Sequence, residues 1–248
     1  MASPTPSAAP SPTPHLVVKQ PRQGYRFSLD AMVLAAHAAP RPGERILELG
    51  TGCGIVALLI ARENPGNPIV AVEVQPELAR FARKNVADNG KADRISILCQ
   101  DMRLLKPGPL GGPFELIVSN PPYRSPGSGR INPRGQRAVA RHEIAVTLAQ
   151  WVDTAKRLLA PGGRLVVVYT SARLEELLTR LAREQLTPKW LRFVHATAEA
   201  EAKLVLVGTR KGGRPALQVR PPLIIYSAPG THSPEAAAIL DPLPETTA

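Results

Sequence analysis

Five short apolar runs constrain this chain more than any other feature: "RILELG" (45–50), "PIVAVE" (68–73), "ISILC" (95–99), "FELIVS" (114–119) and "RLVVVY" (164–169). Each is too short for a buried helix, and the apolar residues are nearly continuous. Strands of that kind are buried on both faces, as in a parallel sheet covered by helices. The gaps accommodate helices at about 55–63, 76–88, 142–159 and 171–185, the third ending at the "PGG" of 161–163. "WLRFVHA" (190–196) and "AKLVLVGTRKGG" (202–213) predict an antiparallel pair at one sheet edge. The expected fold is α/β, a mainly parallel doubly wound sheet with an antiparallel edge hairpin.

With 248 residues, 44% of them hydrophobic, one core of good size is expected, hence one domain over 15–233. Residues 1–14, rich in Pro, Ser, Thr and Ala, are expected to be disordered, and 234–248 to form a flexible tail. The N-terminus lacks the basic and apolar regions of a signal peptide. No uncharged apolar run approaches the ~18 residues of a membrane span, so no membrane partner is expected. Cys53 and Cys99 lack the paired ligands of a metal site and fit reduced thiols in a cytoplasmic protein; no metal is expected.

The net charge of +11 is unevenly spread. No acidic residue lies between Glu115 and Glu143, where Arg124, Arg130, Arg134, Arg137 and Arg141 fall. A second acid-free stretch, 202–234, carries Lys203, Arg210, Lys211, Arg214 and Arg220. Such segments either attract a phosphate backbone or form an ordinary solvated surface.

The first strand runs into "ELGTGCGIVALLIA". Gly50, Gly52 and Gly54 permit a tight turn and a close approach of ligand to main chain, just before a helix N-terminus. The spacing G-x-G-x-G, with Glu48 before it, departs from the dinucleotide pattern G-x-G-x-x-G. An acidic residue beside the glycines repels a pyrophosphate but suits the sulfonium and amine of S-adenosylmethionine. Glu73 ends the second strand, placed to accept from ribose hydroxyls. After the third strand, Asp101 can accept from an adenine amine and Met102 can pack on its ring. Three such elements at three successive strand ends point to a methyl donor.

The fourth strand ends in "NPPY". An exocyclic amine delocalises its lone pair into its ring and is a poor nucleophile. If the Asn120 side-chain oxygen and the Pro121 carbonyl each accept one N–H, the nitrogen is held tetrahedrally and its lone pair is aimed. Tyr123 stacks on the flat target in this reading. The proline-capped strand end alone explains the turn but not the flanking Asn and Tyr.

Together "KQPRQGYRFSLDAMVLAA" (19–36), "ILELGTGCGIVALLIA" (46–61), "SNPPYR" (119–124), "ARHE" (140–143), "PGGRL" (161–165), "RFVHA" (192–196) and "KGGRPALQVRPPLIIY" (211–226) resemble the bacterial tRNA(Val) adenine-N6 methyltransferases. The resemblance covers about 17–226. It implies a Rossmann-like class I methyltransferase fold, S-adenosylmethionine as cofactor, and methylation of the anticodon-loop adenine immediately 3′ of the anticodon. It also implies that the segment around Tyr25 to Asp30 closes over the cofactor, so that Ser28 and Asp30 join the cofactor set. Capping of the helix near Leu29 is the competing role for both. Arg124, Arg130, Arg134, Lys211 and Arg214 are the expected tRNA contacts. The proline-rich extension departs from the family pattern. A monomer is the favoured oligomeric state.

Competing readings are a release-factor glutamine N5-methyltransferase, which shares NPPY but needs no arginine-rich segments, and N6-adenine methylation of another RNA or of DNA. A non-enzymatic RNA-binding module is disfavoured because the glycines, Glu73 and Asn120 are all intact. Cys53 is read as a space-filler and Trp151 as core. Trp190 is read as packing, with stacking on RNA as the other possibility.

Overall fold

The computed structural model describes residues 16–21, 29–64, 66–121, 146–241 and 245–247. The strands are β1 (Val17–Lys19), β2 (Ile46–Leu49), β3 (Ile69–Glu73), β4 (Ile95–Cys99), β5 (Phe114–Ser119), β6 (Leu159–Thr170), β7 (Leu186–His195), β8 (Ala202–Lys211), β9 (Gln218–Val219), β10 (Leu223–Ile224), β11 (Tyr226–Ala228), β12 (Thr231–His232) and β13 (Glu245–Thr247). The helices are α1 (Leu29–Ala38), α2 (Ile55–Glu63), α3 (Pro76–Asp88), α4 (Leu148–Leu158), α5 (Leu174–Arg183) and α6 (Pro234–Leu240).

Among the described residues the central sheet has nine strands, in the order β10-β7-β8-β6-β5-β2-β3-β4, with β9 also pairing β7. Every neighbouring pair is parallel except those made by β8. The C-terminal ends of β2 to β7 therefore share one edge of the sheet, and β8 alone runs the other way. Alternate residues feed two apolar layers: Ile46, Val118 and Val168 pack on the side of α1 and α2, whereas Leu47, Ile117 and Val167 pack on the side of α4 and α5. Residues on both faces of β2, β3 and β5 are thereby buried, which is why these strands show no polar alternation. Burying one such side chain stabilises the fold by about 1.5–3 kcal/mol.

Local signals set the helix starts. Pro76 occupies the first turn of α3. Thr147 and Gln150 form a reciprocal capping box on α4, and Ser233 caps α6, which also opens on a proline.

Three expectations change. The helix before "PGG" ends at Leu158, and Pro161 to Gly163 form an irregularity within β6, where the register jumps between the pairs Phe114–Leu159 and Leu116–Arg164. Gly163 is required there, because a Cβ would meet the Ala160 carbonyl at 2.9 Å. The β7–β8 hairpin does not end the sheet, since β9 and β10 add beyond β7; two-residue strands carry no period to read. Residues 234–240, expected within a flexible tail, form α6, and Glu235 there accepts both terminal nitrogens of Arg192 at 2.6 and 2.7 Å. Farther along the same segment, Glu245–Thr247 pairs in parallel with β1.

Candidate functional site: a crevice at the strand ends

Adjacent strands β5, β2, β3 and β4 end side by side, and the residues that follow them bring together most of the expected cofactor set. After β2, the loop 50–54 turns on three left-handed glycines, with φ of 78°, 59° and 88° at Gly50, Gly52 and Gly54. At Gly54 the need is also steric, since a Cβ would stand 3.3 Å from the Ala82 methyl of α3. At Gly50 nothing lies within 4 Å of the place a Cβ would take, so the loop presents open backbone. That is a cradle a ligand can approach closely.

Two buried carboxylates brace the loop. Glu73, 6% exposed, accepts from the Gly52 N–H and the Gln75 N–H, both at 2.9 Å, one on each oxygen. Hydrogen bonds from Val74 and from the Gln75 side chain reach the same carboxylate. Burial raises the Glu73 pKa. Glu48, 2% exposed, accepts on Oε2 from the Thr51 hydroxyl at 2.7 Å and the Ala57 N–H at 3.0 Å. It thereby caps α2, whose N-cap position, Gly54, has no side chain for the task. Burial first, and the neighbouring Glu73 to a lesser degree, push its pKa to about 7. Sequence reasoning assigned Glu48 to a cation; the structure adds this bracing role. Cys53 is fully buried and burial pushes its thiol up to about 12, in keeping with a space-filler.

Beyond β4, Asp101 accepts from the Arg103 backbone N–H and grips the Arg103 guanidinium, a contact that holds its pKa below the usual carboxylate value. Met102 is partly buried against the second apolar layer. Asp30 sits in the first turn of α1, where a carboxylate complements the helix dipole. Ser28, Tyr123, Arg124, Arg130 and Arg134 lie outside the described residues.

The end of β5 is tied directly to the glycine loop. The Ser119 hydroxyl, fully buried, donates to the Leu49 carbonyl at 2.8 Å and accepts from the Trp151 indole N–H at 3.0 Å. Asn120 and Pro121 follow at once, partly buried and buried respectively. Sequence reasoning treated Trp151 as core and passed over Ser119. A second missed residue is Asn85 on α3, fully buried: its amide donates to the Cys53 carbonyl at 2.9 Å and the Lys19 carbonyl at 2.8 Å, and its oxygen accepts from the Lys19 N–H at 2.8 Å. Asn89, one turn on, pairs Val17 in the same way, so two asparagines act as a strand edge for β1. The spacing of the two, four residues apart on one helix face, was the available signal.

Lys211 and Arg214 are not brought to this crevice. Lys211 pairs with Leu186 at the start of β7, at the opposite edge of the sheet from His195. Its ammonium donates to the Lys156 and Leu159 carbonyls, both at 2.7 Å, closing the C-terminus of α4. The Arg214 carbonyl accepts from Lys189 at that same far edge. Trp190 packs one face over Gly208, while the Arg220 guanidinium lies 4.0 Å from its ring centroid. It packs against the first apolar layer, with Arg220 over its ring.

The methyltransferase small domain model matches residues 27–185, a span that contains the glycine loop, both braced carboxylates and Asn120. The tRNA1(Val) (adenine(37)-N6)-methyltransferase of Porphyromonas gingivalis is 33% identical over 231 residues, covering 90% of this chain and 89% of that protein. The chain belongs to the tRNA1(Val) (adenine(37)-N6)-methyltransferase family. A member from Aeromonas hydrophila is 30% identical over 91% of this chain and 92% of its own. For the fold, a crystal structure of a predicted O-methyltransferase from Agrobacterium tumefaciens superposes with a TM-score of 0.69 at 23% identity, over 88% of this chain and 99% of that one. The fold of this family member is thus the class I methyltransferase fold, and the protein is a methyltransferase. Among the described residues no helix is long and apolar enough to cross a membrane, and no group of three His, Cys, Asp or Glu could hold a metal.

Proposed function

We propose that this protein transfers a methyl group from S-adenosylmethionine to N6 of adenine 37 in tRNA1(Val). The observation that carries the reading is the Ser119 bond to Leu49, which fixes the Asn120–Pro121 turn against the glycine loop. A flat amine acceptor and a cofactor cradle are thereby built as one unit. The substrate named for the relatives supports adenine N6 as the amine.

S-adenosylmethionine, when bound, supplies an electrophilic methyl group on a sulfonium. The residues present fit it: the open backbone at Gly50, the buried Glu73 carboxylate at the end of β3 for ribose hydroxyls, and Asp101 with Met102 for the adenine end. Glu48 braces the loop from beneath through Thr51 and Ala57. The Asn120 amide oxygen and the Pro121 carbonyl accept the two N–H bonds of N6, turning its lone pair out of conjugation and toward the methyl group. No general base is needed beforehand, because the proton is acidic only once nitrogen carries positive charge. Tyr123 stacks on the base, and Arg124, Arg130 and Arg134 meet phosphates. A cytoplasmic location follows from the tRNA substrate.

The test is incubation with labelled S-adenosylmethionine and tRNA1(Val) transcripts, then nucleoside analysis. N6-methyladenosine in the wild-type transcript and none in one carrying guanine at position 37 is expected. Transfer to a release-factor glutamine instead would move the assignment to that flat side-chain amide.

A further inference from the structure

A second concavity opens at the same edge of the sheet as Asn120, outside the crevice. It encloses about 490 Å³ between the β7–β8 loop, at Thr197 and Glu199, and the β11–β12 hairpin, at Tyr226, Ser227 and Gly230. Its position follows from the register: Ser119 pairs with Val167, Thr170 three residues on pairs with Leu204, Leu204 with Val194, and Val194 with Leu223 just before the hairpin. β10 lies four strands from β5, about 19 Å at ordinary strand spacing. A nucleotide a few positions from the reacting base spans that distance.

The walls are fastened to each other. The Tyr226 N–H donates to the Ala196 carbonyl at 2.8 Å, and the Ile225 N–H to the His195 carbonyl at 2.9 Å. Tyr226 stacks on His232, with ring centroids 5.0 Å apart and planes 21° apart, yet remains 39% exposed. A large aromatic ring backed by a second ring and left open is a stacking platform. Among the described residues no lysine or arginine lines the cavity, and Glu199 is the one carboxylate there. A phosphate is therefore repelled, whereas a neutral ring that offers N–H donors is matched by Glu199 and by the Tyr226 face.

We infer that this cavity holds an unpaired nucleobase of the tRNA anticodon loop, other than the methylated adenine, stacked on Tyr226 with its N–H edge toward Glu199. The inference rests on the tRNA reading above. It separates substrate positioning into two points, one at Asn120 after β5 and one at Tyr226 after β10, on strands about 19 Å apart.

The experiment measures binding of an anticodon stem-loop RNA to the full-length protein and to Tyr226→Ala, Tyr226→Phe and Glu199→Ala, across a salt series. Loop nucleotides are made abasic one at a time. Tyr226→Ala should bind about tenfold or more weakly at every salt concentration, as loss of one base stack implies, with the log-log salt slope unchanged. Tyr226→Phe should bind within about twofold of wild type, and Glu199→Ala, on the opposite wall, should also weaken binding. One abasic position should cost the wild type affinity and cost Tyr226→Ala nothing. Equal affinity of wild type and Tyr226→Ala, or no abasic position that couples to Tyr226, overturns the inference. Because the readout is binding, a wild-type protein that binds the RNA but transfers no methyl group contradicts the function proposed above and leaves the cavity to be judged by these coupling data.

Discussion

The Ser119 hydroxyl bridges the ends of two strands, donating to the Leu49 carbonyl at 2.8 Å while the Trp151 indole donates to it at 3.0 Å. Leu49 precedes the first glycine of the loop and Ser119 precedes Asn120, so one buried oxygen sets the distance between cofactor cradle and amine acceptor. Ser119→Ala leaves a buried carbonyl and a buried indole N–H without this partner. A loss of about 2–3 kcal/mol in urea unfolding is expected. Methyl transfer at saturating substrates should fall more than affinity for either ligand.

Glu48 makes stability depend on pH. Its pKa is about 7 in the fold against an ordinary value near 4.5, so the folded state holds more protons between those limits. Its contribution is complete below 4.5 and is lost as pH rises through 7. Glu48→Gln keeps an oxygen for Thr51 and Ala57 and has no charge to bury. At pH 8 the variant should be more stable than wild type by on the order of 3 kcal/mol, and the difference should close toward pH 5. Parallel stability curves from pH 5 to 8 would contradict this account of Glu48.

Asn85 offers its amide to two carbonyls, those of Cys53 and Lys19. Asn85→Ala should cost about 3 kcal/mol through three lost hydrogen bonds. Asn85→Asp, although closer in shape, should be the more destabilised of the two, because a carboxylate oxygen then faces both carbonyls. Thermal unfolding of the pair at pH 7 checks the order, and Asn85→Asp unfolding above Asn85→Ala would contradict it.

Lys211 should act on stability rather than on tRNA. Lys211→Met removes an ammonium from the carbonyls that end α4 and should cost about 1–2 kcal/mol. The salt dependence of tRNA affinity should stay that of wild type. A slope flatter by about one unit would return Lys211 to the tRNA interface.

The position of Lys211 relative to the crevice shows where the sequence stops being legible. An acid-free stretch reveals charge, but which sheet edge receives it depends on strand direction. β8 runs antiparallel to β6, so Lys211 at its C-terminal end points away from the crevice while Ala202 at its start lies beside it. The long strands were readable because apolar residues on both faces leave no other environment for them. Glu73 and the glycines were readable because strand-end position and positive φ restrict residue type. The hydrogen bonds of Ser119, Asn85 and Trp151 were not, since their partners lie 70, 66 or 32, and 32 residues away respectively. The hairpin that carries Tyr226 is too short to show a period.

The most direct test of the central claim, that Asn120 orients the reacting amine, is single-turnover methylation by Asn120→Ala at saturating S-adenosylmethionine, with binding of both ligands measured alongside. Loss of one positioned acceptor should slow methyl transfer on the order of a hundredfold, about 2.7 kcal/mol. Affinity for tRNA, carried mainly by phosphate contacts, should change far less. A variant that methylates tRNA1(Val) at close to the wild-type rate would contradict the account and reduce Asn120–Pro121 to the turn that ends β5.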